Sequence, residues 1–171
     1  MGQSDIPLNE KGLLQAEDVS QRLQGYRFSG IYSSDLRRAM KTAEIIAAGL
    51  HLPVNREPRL REINQGEWEG LQVEIIKARY AVLWQQRSSD PASIRPPGGE
   101  TVGEVAERVR TALDEITRWF VNDSVLIVSH GLALATVLCT VRGIPVGQAY
   151  GQIPVNAEPI WVDWKKPEHP L

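Results

Sequence analysis

A chain of 171 residues with a formal net charge of -2 suits one domain, at roughly 100–200 residues per domain. Its 42% hydrophobic content supports a core without staples, and the single cysteine, Cys139, excludes a disulfide framework and a cysteine-based zinc cluster. The near-neutral balance argues against a nucleic-acid or membrane-surface partner, which needs a basic face, yet leaves room for a few arginines around a small anion.

Residues 1–8 read as a polar loop. Asn9 is placed to cap a helix running to about Leu23, with Gly12, Ala16, Val19 and Leu23 on its buried face and Gly25 as its stop. Phe28 to Tyr32 reads as a short strand. A second helix starts near Asp35, carries the apolar stripe Leu36, Ala39, Met40, Ala43 and Ala47, and ends at Gly49. Leu52 to Asn55 is a weak strand, Glu57 to Gly70 an ordered loop, and Val73 to Gln86 a helix.

Asp90 to Gly99 holds three prolines and two glycines and reads as a loop. Thr101 with Glu104 fits a capping box for a helix burying Val105, Val109, Ala112, Ile116 and Phe120. Val125 to Ser129, V-L-I-V-S, is a continuous apolar run, the pattern of a strand buried on both faces of a parallel sheet. Gly131 opens an apolar helix to Arg142, in which Cys139 is a small buried side chain, and Ile160 to Trp164 reads as a last, edge strand. The alternation of strands and helices predicts an α/β three-layer sandwich, with a mostly parallel sheet and helices on both faces. No apolar run approaches the ~20 residues of a membrane span and no signal peptide opens the chain, so a soluble, cytoplasmic protein without a membrane partner is expected.

Three segments carry candidate chemistry. His130 follows the V-L-I-V-S strand, at the carboxyl end where open α/β sheets bind ligands, and Gly131 starts a helix whose free N–H groups suit an anion. A protonated imidazole there would donate to a phosphoryl oxygen, while a strand-capping histidine of no further meaning fits the pattern equally well. In Y-S-S-D-L-R-R-A-M-K-T-A, Arg37 fits a solvated surface, and Arg38 beside Ala39 is placed to point at the sheet end as a bidentate phosphate ligand. In L-R-E-I-N-Q-G-E-W-E-G, Glu67 and Glu69 fit a solvated acidic loop. Glu62, between Leu60 and Ile63 and near Trp68 at the site mouth, is the candidate general acid, its acidity weakened by apolar surroundings. The P-P-G-G-E-T-V-G-E stretch reads mainly as loop and cap.

Taken together and in order, S-D-L-x-R-A-x-x-T-A, L-R-E-I-x-x-G-x-W-E-G, P-G-G-E-T and V-S-H-G resemble the histidine phosphatase superfamily, also called phosphoglycerate-mutase-like, across essentially the whole chain. The opening S-D-I-P-L-N-E-K-G-L-L-Q-A is similar to the family segment that follows its catalytic motif. The resemblance implies that Arg38 clamps the phosphoryl group, and that Glu62 protonates the leaving alcohol and then activates water. It further implies that His130 stabilises the transferring group, that Gly131 brings its backbone N–H close, and that Gly2 lies beside the substrate. No metal and no cofactor is called for when Arg and His supply the cations.

The family's phosphorylated histidine stands in an Arg-His-Gly that ends a strand central in the sheet, beside the V-L-I-V-S strand. This sequence has His51, His130 and His169, none of which follows an arginine. The expectation is therefore a fold with its first strand missing: a domain over 1–171 truncated at its start through a late start or fragmentation, with a sheet that closes up or takes a strand from a partner. The partner expected is a small phosphorylated metabolite, with a homodimer left open. The short Leu71 to Pro96 segment favours a phosphatase, inactive as this chain for want of the nucleophile. A phosphoglycerate-mutase-type isomerase and a non-catalytic anion-binding relative are the alternatives.

Overall fold

The computed structural model describes residues 2–164. His169, assigned from the sequence to a proline-flanked tail, lies outside them. Three strands form among the described residues, β1 (Gly30–Ser33), β2 (Val54–Arg56) and β3 (Val125–Val128), parallel and in the order β2-β1-β3. Ile31 pairs with Val54 on one side and Leu126 on the other. The alternating strand pattern sends its side chains to two layers. Ile31, Leu126 and Val128 pack with Val19, Leu23, Ala43, Ile46 and Ala47 of α1 (Glu10–Leu23) and α2 (Arg37–Leu50). Tyr32 and Ile127 face Val105, Val109, Ala112 and Ala135 of α5 (Val102–Thr117) and α6 (Gly131–Arg142). The result is the expected α/β sandwich with helices on both faces of a parallel sheet.

Local signals explain the helix starts. The Asn9 side chain accepts from the Gly12 N–H at 2.9 Å, and Thr101 with Glu104 forms a reciprocal capping box. The α2 stop differs from expectation. Gly49 lies inside the helix, where a Cβ would come within 2.9 Å of Ser20 Oγ, so glycine serves the close approach of α1. The turn itself falls to His51, in the left-handed conformation at φ 54°. At α1, Gln24 caps in a helical conformation, and Gly25 has open space where a Cβ would point.

Other expectations are corrected. The helix expected over Val73 to Gln86 is two helices, α3 (Val73–Arg79) and α4 (Ala81–Ser89), broken where Tyr80 leaves helical geometry at φ -124°, ψ 38°. Phe120 lies beyond α5, half-buried, with its ring edge-on to Tyr32 at 6.2 Å. β3 is half-buried along its length rather than fully buried, because among the described residues it pairs with β1 alone and keeps one open edge. Ile160 to Trp164 makes no ladder. Its pattern is satisfied by side chains instead: Trp161 stacks on Phe28 at 5.8 Å, and Trp164 Nε1 donates to Asp114 Oδ1 at 2.9 Å. No single helix among the described residues is long and apolar enough to cross a membrane.

Candidate active site

Parallel strands put their carboxyl ends on one edge, so Ser33 at the end of β1 with Ser34 after it, Glu57 after β2 and His130 after β3 rise together. His130 is buried at 8% exposure, and its Nε2 lies 2.8 Å from Ser34 Oγ. Ser34 is itself fixed by its N–H, which donates to Val128 O at 2.9 Å. Burial, with help from the charges of Arg38 and Arg108, pushes the imidazole down from its ordinary 6.5 to about 3. The cationic imidazole anticipated from the sequence is therefore not the resting form. At neutral pH His130 is a neutral hydrogen-bonding group.

Arg38, in the first turn of α2, turns toward the amino-terminal segment. Its Nη1 donates to Ser4 O and its Nη2 to Gly2 O, both at 2.8 Å. Burial pulls its guanidinium below the ordinary value, opposed by the carboxylates of Glu62, Asp5 and Glu69. Carbonyl oxygens thus occupy the fork that a phosphoryl group would use. Gly2 is buried, and a Cβ there would lie 2.0 Å from Glu69 Oε1 and 2.6 Å from Ile63 O, so only glycine fits between Arg38 and the glutamate loop.

Glu62 caps α6 from a distance. Its Oε2 accepts from the Leu132 N–H at 3.1 Å, and its Oε1 from the N–H groups of Ala133 at 3.3 Å and Ile63 at 2.9 Å. The helix N-terminus that the sequence offered to a ligand therefore already holds a carboxylate. A Cβ on Gly131 would lie 3.8 Å from Glu62 Oε2 and 3.1 Å from Ile153, which makes Gly131 a point of close approach in the site. Trp68 does not line the mouth. It is 3% exposed beneath Tyr80 and Trp84, and its Nε1 has no acceptor among the described residues.

The structure thus gathers Arg38, Glu62, His130, Gly131 and Gly2 at one sheet edge. It also adds residues that sequence reasoning missed. Arg108, on the exposed-charge pattern of α5, reaches across to the glutamate loop: Nη1 donates to Arg59 O and Arg61 O at 2.7 Å, and Nη2 to Glu62 O at 3.0 Å. The same guanidinium grips Glu100 of the P-G-G-E-T segment at 2.8 and 3.0 Å, and Glu100 Oε2 accepts from the Asn64 N–H at 2.8 Å. One glycine from each segment allows the close approach of that stretch to the loop. A Cβ on Gly99 would meet Asn64 O at 2.5 Å, and Gly66, at φ +52°, packs against Pro97 O.

Glu69 is no solvated carboxylate either. Burial pushes it up, but donors from Ser4, Gln3, Gln65 and Gly2 outweigh that and hold it below its ordinary value. Arg61 clasps Asp35 with two contacts of 2.6 Å, tying the loop to the entry of α2 and lowering the Asp35 carboxyl. The available signal for Arg108 and Glu69 was their place within or near the quoted motifs. Charge alone marked them as surface.

Comparison with known proteins bears on the family of the chain. The family model described as "Histidine phosphatase superfamily (branch 1)" matches residues 1–169. A probable phosphoglycerate mutase GpmB of Erwinia tasmaniensis is 40% identical over 145 residues, spanning 84% of this chain and 67% of that relative. Among solved structures, Bacillus stearothermophilus YhfR superposes with a TM-score of 0.81 at 32% identity, over 88% of this chain and 74% of its own. A mycobacterial glucosyl-3-phosphoglycerate phosphatase superposes with 0.77 at 30% identity, over the same shares. By sequence model, relatives and superposition alike, the chain belongs to the histidine phosphatase superfamily, whose chemistry is phosphoryl transfer.

Proposed function

We propose that this chain supplies the phosphate clamp Arg38, the general acid Glu62 and the supporting histidine His130 of a metal-independent phosphomonoesterase acting on a small phosphorylated metabolite. The observation that carries the proposal is the convergence of these three groups at the carboxyl end of the sheet, where Arg38 feels the charge of Glu62 and His130 feels that of Arg38. In the reaction the resemblance implies, a histidine nitrogen takes the phosphoryl group as the ester P–O bond breaks. Glu62 in its acid form gives its proton to the leaving oxygen. As a carboxylate it then takes a proton from the water that releases inorganic phosphate. Guanidinium and imidazole donors supply the electrostatic stabilisation.

His130 is the supporting histidine in this scheme, since Ser34 holds its Nε2. His51 sits at the far end of α2, on the amino side of the strands. The chain of 171 residues is therefore proposed to bind phosphate without turning esters over. The segment between the glutamate loop and the P-G-G-E-T stretch folds as only two short helices, which favours hydrolysis over the mutase chemistry named for GpmB.

Isothermal titration with inorganic phosphate tests the site. Binding should weaken at least about tenfold in Arg38→Lys, which loses bidentate contact, and should be indifferent to a chelator. The chain should hydrolyse p-nitrophenyl phosphate no faster than its His130→Ala variant. Phosphate binding insensitive to Arg38 would refute the clamp. Turnover well above that of His130→Ala would refute the missing acceptor.

A further inference from the structure

The direction of the contact between Ser34 and His130 decides what the imidazole can do. Ser34 is fully buried and held on three sides. Its N–H donates to Val128 O at 2.9 Å, its carbonyl accepts from Ser33 Oγ at 2.9 Å, and its own Oγ accepts from the Leu36 N–H at 3.4 Å. Among the described residues the proton of the Ser34 hydroxyl has one acceptor, the Nε2 of His130 at 2.8 Å. Were Nε2 protonated and donating, that hydroxyl proton would be left without an acceptor in a buried place, which folded chains avoid. Ser34 therefore donates and Nε2 accepts. The resting imidazole is neutral because burial disfavours its charged form, so its single proton stands on Nδ1.

Nδ1 is the free end of the ring. No group among the described residues pairs with it. It is not sealed in either, because among those residues the side-chain atom that is both buried and unpaired is Trp68 Nε1. The backbone of His130 is fixed as well. It enters α6 in extended geometry at φ -127°, ψ 169°, and its carbonyl accepts from the Leu134 N–H at 2.9 Å. The ring cannot turn Nδ1 inward without giving up Ser34. The Leu132 and Ala133 amides of α6 are already taken by Glu62, which leaves a side-chain donor beside them to meet an anion.

We propose that Ser34 is a positioning residue: by donating to Nε2 it fixes His130 in the tautomer whose Nδ1–H meets a phosphoryl oxygen. This rests on the phosphate site proposed above. A neutral imidazole donates through one nitrogen only, and the hydrogen bond at the other nitrogen chooses which. Without the Ser34 bond the Nε2–H form becomes available, and its bare Nδ1 lone pair repels an anionic oxygen. Ser34 thus lets an uncharged histidine serve as a donor at this edge of the sheet. No proton changes hands: Ser34 keeps its own, and the Nδ1 proton stays on the ring while it bonds the oxygen.

Proton–nitrogen correlation NMR of the histidine-labelled chain at neutral pH reads the ring directly, with His130→Asn identifying the His130 signals. The expected result is a proton on Nδ1 and a bare Nε2, and added inorganic phosphate should move the Nδ1 resonance more than that of Nε2. In Ser34→Ala the Nε2–H form should appear, and inorganic phosphate should bind about threefold to tenfold more weakly, the effect of one hydrogen bond. Ser33→Ala, which keeps the Ser34 hydroxyl, should leave the tautomer as it is. A proton on Nε2 in the unaltered chain would overturn the assignment with no variant needed. So would an unchanged tautomer in Ser34→Ala, an equal change in Ser33→Ala, or phosphate that binds without moving Nδ1. Each of these leaves the phosphate site standing. Failure of inorganic phosphate to bind the unaltered chain would instead overturn the phosphate site and this inference with it.

Discussion

The glutamate loop, residues 57–70, and the helical pair α3–α4 that follows it are neighbours in sequence held by opposite means. The loop is stapled by directional polar bonds: Arg108 on three carbonyls, Glu100 on Asn64, Ser129 Oγ on Leu60 O at 2.7 Å, and Asp35 on Arg61. The helical pair rests on ring faces, Trp68 against Tyr80 and Trp84, with Lys77 and Arg87 as cations over the rings. Its outer side leaves Val73, Ile75 and Val82 exposed. Hydrogen bonds to fixed carbonyls hold the loop around Glu62 within narrow limits, as the proton donor proposed above requires. Stacking on ring faces is softer in direction.

Removing the staple should have the largest effect. Arg108→Met leaves Glu100 and three loop carbonyls without their donor in a mostly buried place, the side chains of the pair being 18% and 22% exposed. A loss of about 3 kcal/mol is expected, near the lower end for breaking a buried pair. The urea midpoint measures it. A loss under about 0.5 kcal/mol, the range of ordinary surface changes, would mean that the other ties suffice and that the two regions differ less than their bonding suggests.

His130 makes the site sensitive to acid. The unfolded imidazole titrates near 6.5 and the folded one at about 3, so protons bind the unfolded chain first and stability falls as pH drops through that interval. From pH 7 to pH 5 the loss should be about 2 kcal/mol, above the range where the lowered carboxyls Asp35, Glu57 and Glu69 begin to contribute. His130→Asn should flatten the profile there. An equally steep profile in the variant would show that another group carries the dependence.

How much of this was legible follows from the range of each signal. Asn9 and Thr101 announced their helices because a cap is settled within four residues. The α2 stripe and the V-L-I-V-S run fixed two layers of the sandwich. Arg38 and His130 stood out because one sits beside a small residue and the other at a strand end, and Glu62 because it lies between Leu60 and Ile63 in an otherwise polar loop. What failed was decided at long range. Gly49 answers to Ser20 on another helix, and Ile160 to Trp164 alternates like a strand yet is satisfied by Phe28 and Asp114. Arg108 looks like any surface arginine until the fold brings the carbonyls of Arg59, Arg61 and Glu62 around it. The charge state of His130 depends on burial, which its sequence neighbours do not report.

The capping box bears on whether the stapled loop depends on its helix end. Thr101 Oγ1 accepts from the Glu104 N–H at 3.1 Å, while Glu104 Oε2 accepts from the Thr101 N–H at 2.9 Å. Thr101→Ala removes the first bond and keeps the second, and Arg95 remains on Glu104. The cost should be about 1 kcal/mol, the usual worth of such a cap. Arg108 stands one turn beyond Glu104, inside the helix, so fraying confined to the first turn should leave its grip on the loop intact. Hydrogen exchange can separate these outcomes. The Val105 amide, which donates to Thr101 O at 3.2 Å, should exchange faster in the variant, while the Asn64 amide held by Glu100 should not. Faster exchange at Asn64 as well would mean that the polar loop is only as firm as the first turn of α5, and the contrast with α3–α4 would narrow accordingly.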